Sequence, residues 1–266
     1  MCPILFHYRG LTVYAYGSIL AFGFTAGMVL ILLKARNKGV PLERVTELFC
    51  LSIFSAFIGA RGLFVLLDLP AFLNEPARIF RIWEGGLVFY GGLILAAGAG
   101  FGYMRWYRLP LWKMADLFAP AIALGLFFAR IGCFMAGCCY GKETSLPWGV
   151  TFTEPLSLAP LHVSLHPTQL YEAAAGLALF LFLIRMEKKQ SFDGQIFWLF
   201  LLFYSVLRFL VEFLRDDPRG FPIWASLSTS QTVGVFLAIF SLFMLFFMDR
   251  KRRCRRQPGG WLFWKS

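Results

Sequence analysis

The chain has 266 residues, of which 58% are hydrophobic, 18% aromatic and only 15% charged, and its mean hydropathy is +0.65. Soluble domains carry about 25% charged residues, so this composition excludes most soluble proteins and predicts a polytopic membrane protein. A formal net charge of +11 can indicate a nucleic-acid partner. The positive charges are nevertheless distributed as membrane topology requires, and we therefore predict no binding to nucleic acid.

Seven stretches are long and apolar enough to cross a bilayer, which takes about 20 mostly apolar residues. The first is not a cleavable signal peptide, because it lacks a basic n-region and a small-residue cleavage site. The sequence therefore predicts an all-α, polytopic fold with about seven transmembrane helices, in a single integral-membrane domain over residues 1–266. In chain order the predicted spans are Thr12–Leu33, Val45–Leu67, Gly85–Met104, Met114–Met135, Thr168–Ile184, Gly194–Leu214 and Ser226–Met248.

The positive charges are divided unequally between alternate loops. One set of loops, together with the C-terminal tail, holds 17 of the 26 Lys and Arg residues, whereas the opposite set holds six. Because cytoplasmic loops carry the excess of positive charge, we expect the N-terminus outside and the C-terminus in the cytoplasm. A long loop over about 136–167 then lies on the outer face, and the basic tail 249–266 contacts anionic lipid on the cytoplasmic face.

Three arginines fall inside predicted spans, each toward the outer end. An Arg near the bilayer centre costs on the order of 2.5–3.5 kcal/mol, so it normally faces a cavity, a partner or a substrate. Either these charges only pair with nearby acids and hold the helices together, or several guanidinium groups together bind a phosphate. At this depth a phospholipid headgroup is the natural ligand. The arginines are Arg61, Arg130 and Arg208, and the polar residues expected around them are Asp116, Glu172, Glu212 and Tyr204.

The sixth span carries the most informative polar pattern. Tyr204, Arg208 and Glu212 recur every four residues, so they share one helical face. Arg215 follows at the outer rim. A purely hydrophobic packing role does not explain this stripe in a span otherwise rich in Phe and Leu.

The segment that ends the fourth span, residues 129–141, is rich in Gly and Cys. Its glycines allow close approach of backbone and ligand, and its cysteines cluster at an outer, oxidising face. The CxxxxCC spacing lacks the paired ligands usual for zinc, and no nearby His completes it, so no metal is predicted. A disulfide or a set of packed thiols is the favoured interpretation, and a catalytic or acyl-carrying Cys is the alternative. The residues are Gly132, Gly137, Gly141, Cys133, Cys138 and Cys139.

A series of motifs runs in order along most of the chain, from Tyr16-Gly17 to Ser228-Thr-Ser-Gln231. With these motifs the chain resembles the prolipoprotein diacylglyceryl transferases of bacterial inner membranes. The motifs are Gly59-Ala-Arg61, Trp83-Glu-Gly-Gly-Leu-Val-Phe-Tyr-Gly-Gly-Leu-Ile94, Ala115-Asp116, Arg130-Ile-Gly-x-Phe, Pro147-Trp148, His166-Pro-Thr-Gln-Leu-Tyr-Glu172 and the Tyr204/Arg208/Glu212 helix.

The resemblance implies transfer of the diacylglyceryl group of phosphatidylglycerol to the thiol of the lipobox cysteine of a prolipoprotein signal peptide. The products are a thioether and glycerol phosphate. It also implies a multi-pass protein of the bacterial inner membrane that needs no cofactor. The catalytic residues expected from it are Arg130, Arg208, Tyr90, Tyr204 and His166. The substrate-binding residues expected are Arg61, Tyr16, Gly91, Gly92, Gly132, Cys133, Gly137, Glu212 and Arg215.

Two departures from the family pattern leave the thiol-activating base open. Tyr90-Gly91-Gly92 stands where the family commonly has His-Gly-Gly, whose His is proposed to assist thiol deprotonation. The segment from Cys133 to Cys138 replaces two Asn and a Glu of the family signature. A phenol with a pKa of about 10 is a poor base unless a nearby Arg lowers that pKa. His166 either acts at the site or, with Thr168, caps the fifth span.

Two alternatives to this function remain. One differs in the molecule that accepts the transferred group, and the other is not an enzyme. One is a paralogous phospholipid or acyl transferase with another acceptor, acting through Cys138 or Cys139. The other is a transporter or lipid-binding protein, which would more often show repeated halves or interrupted helix pairs. We see neither feature in the sequence.

Overall fold

The structure, a computed structural model, describes residues 3–8, 11–81, 85–216 and 228–256. Trp83 and Glu84 of the motifs above lie outside the described residues, as do Arg9 and Arg219, two of the six positive charges assigned to the outer loops, and the tail from residue 257 onward. The chain divides into two compact units, Ile31–Met114 on one hand and Met1–Leu30 with Ala115–Ser266 on the other. A single domain over residues 1–266 stays a prediction.

The described ranges form eight α-helices and a short 3-10 helix. Six of the helices, all but α3 and α4, are long and apolar enough to cross a membrane. The all-α, polytopic prediction is confirmed, and α4 takes the place of the third predicted span. The helices are α1 (Ala15–Asn37), α2 (Leu42–Leu67), α3 (Leu69–Asn74), α4 (Phe89–Trp106), α5 (Leu111–Ala136), α6 (Thr168–Glu187), α7 (Gln195–Glu212) and α8 (Thr229–Arg256), with the 3-10 helix at Pro76–Phe80.

The largest boundary difference is at the C-terminal end of α8. This helix continues past the predicted end at Met248 to Arg256. Hydropathy marks only the apolar part of a helix, whereas Arg and Lys are good helix formers that extend it. The predicted start of the same span, Ser226, lies outside the described residues.

Two small antiparallel sheets were not predicted. In the first, β1 (Ile4–Tyr8) pairs with β2 (Leu11–Tyr14), so the first predicted span, begun at Thr12, starts in a strand. The β-branched and aromatic residues of β2 favour a strand. In the second, β3 (Val150–Thr151) pairs with β4 (Ser164–Leu165) inside the loop between α5 and α6.

In the unit Ile31–Met114, α2 and α4 pack backbone to backbone. A Cβ atom added to Gly59 would meet the Gly91 carbonyl oxygen, and one added to Gly91 would meet the Gly59 carbonyl oxygen. One added to Gly92 would lie 2.8 Å from the Ala56 carbonyl oxygen. Small residues at helix–helix contacts allow two helix backbones to approach each other this closely in membrane proteins. Gly91 and Gly92, predicted to bind substrate, thus serve helix packing, and a substrate role stays a prediction.

In the other unit, α5, α6 and α7 share a hydrophobic core. Its buried residues are Ala119, Ala123, Leu179, Leu183, Ile196 and Phe200. At one end of this core, the Asp116 carboxylate accepts hydrogen bonds from the Gln190 side chain (2.6 Å) and from the backbone N–H groups of Gly194 (2.5 Å) and Phe197 (2.9 Å). Asp116 therefore caps the first turn of α7, where N–H groups lack helical partners.

The expectation that Asp116 lies near the arginines is wrong. Asp116 and Arg130 are both in α5, and 14 residues of helix at about 1.5 Å each separate them by roughly 21 Å. The carboxylate belongs to the opposite end of its helix from Arg130, and its role is structural.

Candidate active site

Helices α5, α6 and α7 bring three charged side chains together around one carboxylate. Glu172, in the second turn of α6, forms ion pairs with the guanidinium groups of Arg130 of α5 and Arg208 of α7. The Arg208 Nη1 atom lies 2.9 Å from Glu172 Oε1. On the other side of Arg208, its Nη2 atom lies 2.6 Å from Oε2 of Glu212, one helical turn along α7. The predicted stripe of α7 thus faces Glu172.

Arg215 joins the same carboxylate from beyond the end of α7. Its Nη1 atom lies 2.9 Å from Glu172 Oε1. The backbone around it is held by the loop between α5 and α6: Lys142 N–H donates to the Leu214 carbonyl (2.8 Å), and Gly141 forms an isolated antiparallel bridge with Arg215. The loop therefore fixes where the Arg215 side chain leaves the backbone.

The cluster carries more positive than negative charge. Arg130, Arg208 and Arg215 supply three cations, and Glu172 and Glu212 supply two anions, which leaves a surplus of one positive charge. The Arg215 side chain is 2% exposed and that of Arg208 is 10% exposed. The pairing of these arginines with acids, one of the two alternatives above, is therefore present, but it does not neutralise the cluster.

A small cavity opens beside these ion pairs. Its volume is about 20 Å³, which is room for one water. The polar side chains that line it come from Arg130, Glu172, Tyr204 and Arg208, and its remaining walls are apolar. The Tyr204 ring stacks on Phe200, with the ring centroids 5.8 Å apart. A larger ligand requires the side chains of this cavity to separate.

A wider, apolar groove lies on α1 and α5 of the same unit. Its volume is about 410 Å³. Ile131, which follows Arg130 in the chain, is one of its lining residues. The other lining residues are Ser18, Ile19, Phe22, Phe127 and Phe128.

Three cysteines form a compact group on the end of α5 and the loop after it. The Sγ atoms of Cys133, Cys138 and Cys139 all lie within 4.8 Å of one another, and the three are free thiols. Hydrogen bonds with Cys133 and Cys138 lower the pKa of the Cys139 thiol below its ordinary value, and the charge of Arg215 lowers this pKa further.

The chain matches one protein family over nearly its whole length. Residues 3–247 fit the sequence model of the family described as prolipoprotein diacylglyceryl transferase. The chain belongs to this family. This confirms the resemblance on which the site residues were predicted.

Several members of the prolipoprotein diacylglyceryl transferase family are similar end to end. The chain is 37% identical over 253 residues to the phosphatidylglycerol–prolipoprotein diacylglyceryl transferase of Clostridium tetani, covering 95% of this chain and all (100%) of that protein. It is 34% identical to transferase 2 of this name from Clostridium perfringens, covering 94% and 96% of the two chains. It is 32% identical to the Geobacter sulfurreducens enzyme of this name, again covering 94% and 96%.

Of the residues expected from the family, Tyr16 and Gly132 pack on each other, and Tyr16 also interacts electrostatically with Arg130 and with the three cysteines at the end of α5 and in the loop after it. A Cβ atom added to Gly132 would lie 3.1 Å from the Tyr16 ring. Gly137 has a φ of 74°, a left-handed conformation that glycine adopts without strain. These residues shape the approach of α5 to α1 and the turn into the cysteine loop, and substrate contact by them stays a prediction.

His166 lies in the loop that leads into α6. Its Nδ1 atom is 3.3 Å from the Tyr171 hydroxyl, and Trp148 Nε1 donates to the same hydroxyl at 2.9 Å. Its carbonyl accepts from the N–H groups of Gly141 (3.1 Å) and Thr168 (2.8 Å). The structure thus supports a role for His166 in ordering the start of α6, and a catalytic role stays a prediction.

Arg61 and Tyr90 belong to the other unit. The Arg61 guanidinium donates to backbone carbonyls, which include those of Arg78 (2.6 Å), Ile79 (3.0 Å) and Gly85 (2.6 Å). It therefore holds the segment between α3 and α4, and substrate binding by Arg61 stays a prediction. Tyr90 lies in the first turn of α4 and is 43% exposed, and a catalytic role for it stays a prediction.

Glu172 is the site residue that sequence reasoning missed. It was named among the polar residues near the arginines, but not among the site residues. A signal for it was present, because it is an acid near the N-terminal end of an otherwise apolar span. Acidic residues inside spans are expected to face partners or cavities.

Proposed function

We propose that this chain transfers the diacylglyceryl group of phosphatidylglycerol to the lipobox cysteine thiol of a prolipoprotein. The observation that carries the proposal is the cluster of three buried arginines around Glu172, with its surplus of one positive charge. Phosphatidylglycerol has a phosphodiester with one negative charge. A buried site with one uncompensated cation therefore complements this headgroup in charge.

The first step is binding of the headgroup by Arg130 and Arg208. Guanidinium groups present paired N–H donors that match phosphate oxygens. Both arginines line the small cavity beside Glu172. Displacement of part of the Glu172 contact by the phosphate opens this cavity, and Glu172 then keeps the remaining guanidinium groups in place.

The second step is the substitution itself. The lipobox sulfur forms a bond to the glyceryl carbon that carries the phosphate ester, and the bond from that carbon to the ester oxygen breaks. The electron pair leaves with glycerol phosphate, and the thiol proton is released. Negative charge grows on the departing phosphate, so fixed cations such as Arg130 and Arg208 stabilise the transition state more than the ground state.

The acyl chains of the donor occupy the apolar groove next to Arg130. Its lining by Phe22, Phe127 and Phe128 suits hydrocarbon, and its volume of about 410 Å³ is open toward one side. Arg130, which lines the charged cavity, and Ile131, which lines the groove, are consecutive residues of α5. In this proposal a lipid with its headgroup at the arginines extends its chains along α5 to the groove.

The acceptor thiol needs only a modest shift to become a thiolate, because a cysteine has a pKa near 8.5. A cationic site favours the thiolate. In this proposal Tyr90 orients the thiol or the headgroup through its hydroxyl, and Arg130 and Arg208 supply the electrostatic stabilisation. His166 and Glu212 are the next candidates for the base.

The location follows from the positive-inside distribution. We propose that the protein spans the bacterial inner membrane with its N-terminus outside and its basic C-terminal end in the cytoplasm. The charged cluster then lies near the outer leaflet, where a translocated prolipoprotein presents its lipobox.

A reconstitution experiment tests this function. Purified protein is incubated with phosphatidylglycerol and a lipobox peptide, and with the same peptide carrying Ser in place of Cys as the control. We expect a thioether-linked diacylglyceryl peptide and glycerol phosphate in equal amounts, and no product from the Ser peptide. Transfer to another acceptor, or lipid binding without turnover, would overturn the proposal in favour of the paralogous transferase or the lipid-binding protein.

A further inference from the structure

The three free cysteines at the end of α5 form a ligand set that the arginine chemistry does not use. Their Sγ atoms lie within 4.8 Å of one another. Cys133 is buried, whereas Cys138 and Cys139 are half-buried. The group includes no His or carboxylate ligand from the part of the chain that the structure describes. It is therefore a set of three sulfur donors and no others.

The loop is built to hold two adjacent thiols on the same side. Gly137 and Cys139 have φ values of 74° and 63°, and these left-handed residues on either side of Cys138 reverse the chain toward Cys133. The carbonyls of Cys138 and Cys139 are fixed by α6, since Gln169 Nε2 and Thr168 Oγ1 each donate to one of them at 2.8 Å. Neighbouring side chains of an extended strand would instead point to opposite sides.

We propose that Cys133, Cys138 and Cys139 bind one Zn²⁺ ion, and that its fourth position takes the thiol of the acceptor peptide. Zinc is bound by thiolates at about 2.3 Å in tetrahedral geometry, which puts the sulfur atoms about 3.8 Å apart. The observed separations, all within 4.8 Å, need only small side-chain rotations. Three protein ligands and one open position are typical of catalytic rather than structural zinc.

The surroundings suit an anionic metal–thiolate group. Zn²⁺ with three thiolates carries one negative charge, which offsets the surplus positive charge of the arginine cluster. With the metal bound, the headgroup is therefore held by the guanidinium N–H donors rather than by a net charge. Arg215 forms a hydrogen bond with the Cys139 sulfur, and the charge of Arg130 acts on Cys133 and Cys139. Outer hydrogen bonds of this kind orient and stabilise metal ligands. Cys133 lies one helical turn after Arg130 on the same face of α5, so the metal would sit next to the proposed phosphate site.

This site would supply the thiolate for the transfer, and in that respect it rests on the proposed function. A thiol that coordinates zinc is deprotonated outright. The acceptor thiol displaces a water from the fourth position and gives its proton to solvent. Its sulfur then bonds to the glyceryl carbon as the phosphate ester bond breaks, and glycerol phosphate leaves with the electron pair. The thioether product is neutral and a weaker ligand, so it leaves and water returns.

The metal site is tested by cobalt substitution, independently of catalysis. The purified full chain is reduced, stripped with a chelator and titrated with Co²⁺, a spectroscopic probe for zinc sites. We expect one Co²⁺ per chain, sulfur-to-cobalt charge-transfer absorption in the near ultraviolet, and displacement of Co²⁺ by Zn²⁺. Cys133→Ser and Cys139→Ser should lose this absorption. Cys50→Ser, which removes an exposed free thiol of α2, should keep it.

Coordination of the acceptor is tested by adding the lipobox peptide to the cobalt-loaded protein. We expect a rise in charge-transfer absorption with the Cys peptide and no change with the Ser peptide. Absence of stoichiometric Co²⁺ binding, or a disulfide among the three thiols in protein purified without reductant that persists with Zn²⁺ present, overturns the metal site. Metal binding with no response to the peptide overturns the acceptor role.

Transfer activity measured with and without zinc distinguishes a failure of the zinc site from a failure of the proposed function. Loss of activity on stripping, with recovery on adding Zn²⁺, supports both. Full activity in the stripped protein contradicts the zinc role and leaves the transfer function standing. If the cobalt spectrum responds to the peptide but no zinc-loaded protein transfers lipid, the site exists and the proposed function fails.

Discussion

The Oε1 atom of Glu172 lies 2.9 Å from Nη1 of Arg208 and at the same distance from Nη1 of Arg215. One carboxylate oxygen therefore serves two guanidinium groups from different segments, while the other oxygen of Glu172 pairs with Arg130. Because these arginines share one carboxylate, substitution of any one of these charged residues changes the contacts of the others.

Replacing Arg208 or Arg130 with Ala should lower the rate of transfer by at least about 100-fold, the cost of losing one oxyanion-stabilising group. Lys should restore little of the rate, because it offers a point charge without the paired donors. The measurement is kcat/KM for phosphatidylglycerol, with exposed Arg185→Ala as the control that should behave as wild type. Full activity in Arg208→Ala would end the assignment.

Glu172→Gln should lower both stability and activity. An amide cannot neutralise three neighbouring guanidinium groups, and removing one partner of a buried ion pair costs about 3–5 kcal/mol. We expect a lower melting temperature in detergent and at least a tenfold loss of kcat by analogy with lost positioning groups. Glu154→Gln in the outer loop is the matched control. A wild-type melting temperature and kcat in Glu172→Gln would contradict the central role of this carboxylate.

Arg61→Leu should destabilise the protein without changing the KM for phosphatidylglycerol of the folded fraction. The guanidinium donates to the carbonyls of Arg78, Ile79 and Gly85, and buried hydrogen bonds from charged groups contribute about 1.5–3 kcal/mol each. Thermal unfolding and KM are measured together, with Arg105→Ala as the control. A raised KM at unchanged stability would instead favour the substrate-binding role expected from the family.

Tyr90→Phe should keep the ring and lose about 10- to 100-fold in rate, less than the largest losses for a general base, about 10⁴-fold. Tyr90→His should stay active and shift the pH profile toward the imidazole range. Steady-state kinetics across pH measures both, and Tyr107→Phe at the other end of α4 is the control. Full activity of Tyr90→Phe would show that the Tyr90 hydroxyl has no role in the reaction. Complete inactivity makes Tyr90 the base.

Membrane orientation is tested with an impermeant maleimide on intact cells. Glu154→Cys, in the loop between α5 and α6, should react more than the unmodified chain does, because we propose that this loop faces outward. Lys251→Cys, in the basic run of α8, should react only after permeabilisation. The reverse pattern would put the arginine cluster on the cytoplasmic leaflet and remove its access to translocated prolipoproteins.

The helices were predictable because hydropathy and helix length are local properties. The stripe of Tyr204, Arg208 and Glu212 was predictable for the same reason, since a period of four residues follows from helix geometry. The structure confirms that Arg208 and Glu212 are in contact and that Tyr204 lines the same cavity.

Relations between distant segments were not predictable from one sequence. Glu172 was missed because its importance comes from three arginines on other segments. Asp116 was misplaced because its sequence signal, an acid in an apolar span, is the same at either end of a helix. The close approach of the three cysteines was not predicted, because the left-handed conformation of Cys139 leaves no trace in the spacing CxxxxCC.

The capping of α7 by Asp116 has a consequence for the order of biogenesis. The carboxylate and its last partner, the N–H of Phe197, are 81 residues apart in the chain. At synthesis rates of about 5–20 residues per second, α5 leaves the ribosome roughly 4–16 s before α7 can donate to it. During this interval the Asp116 carboxylate lacks all three of its partners, which follow it in the chain by 74 to 81 residues. The contact that caps α7 therefore forms only after α6 and the start of α7 have been synthesised.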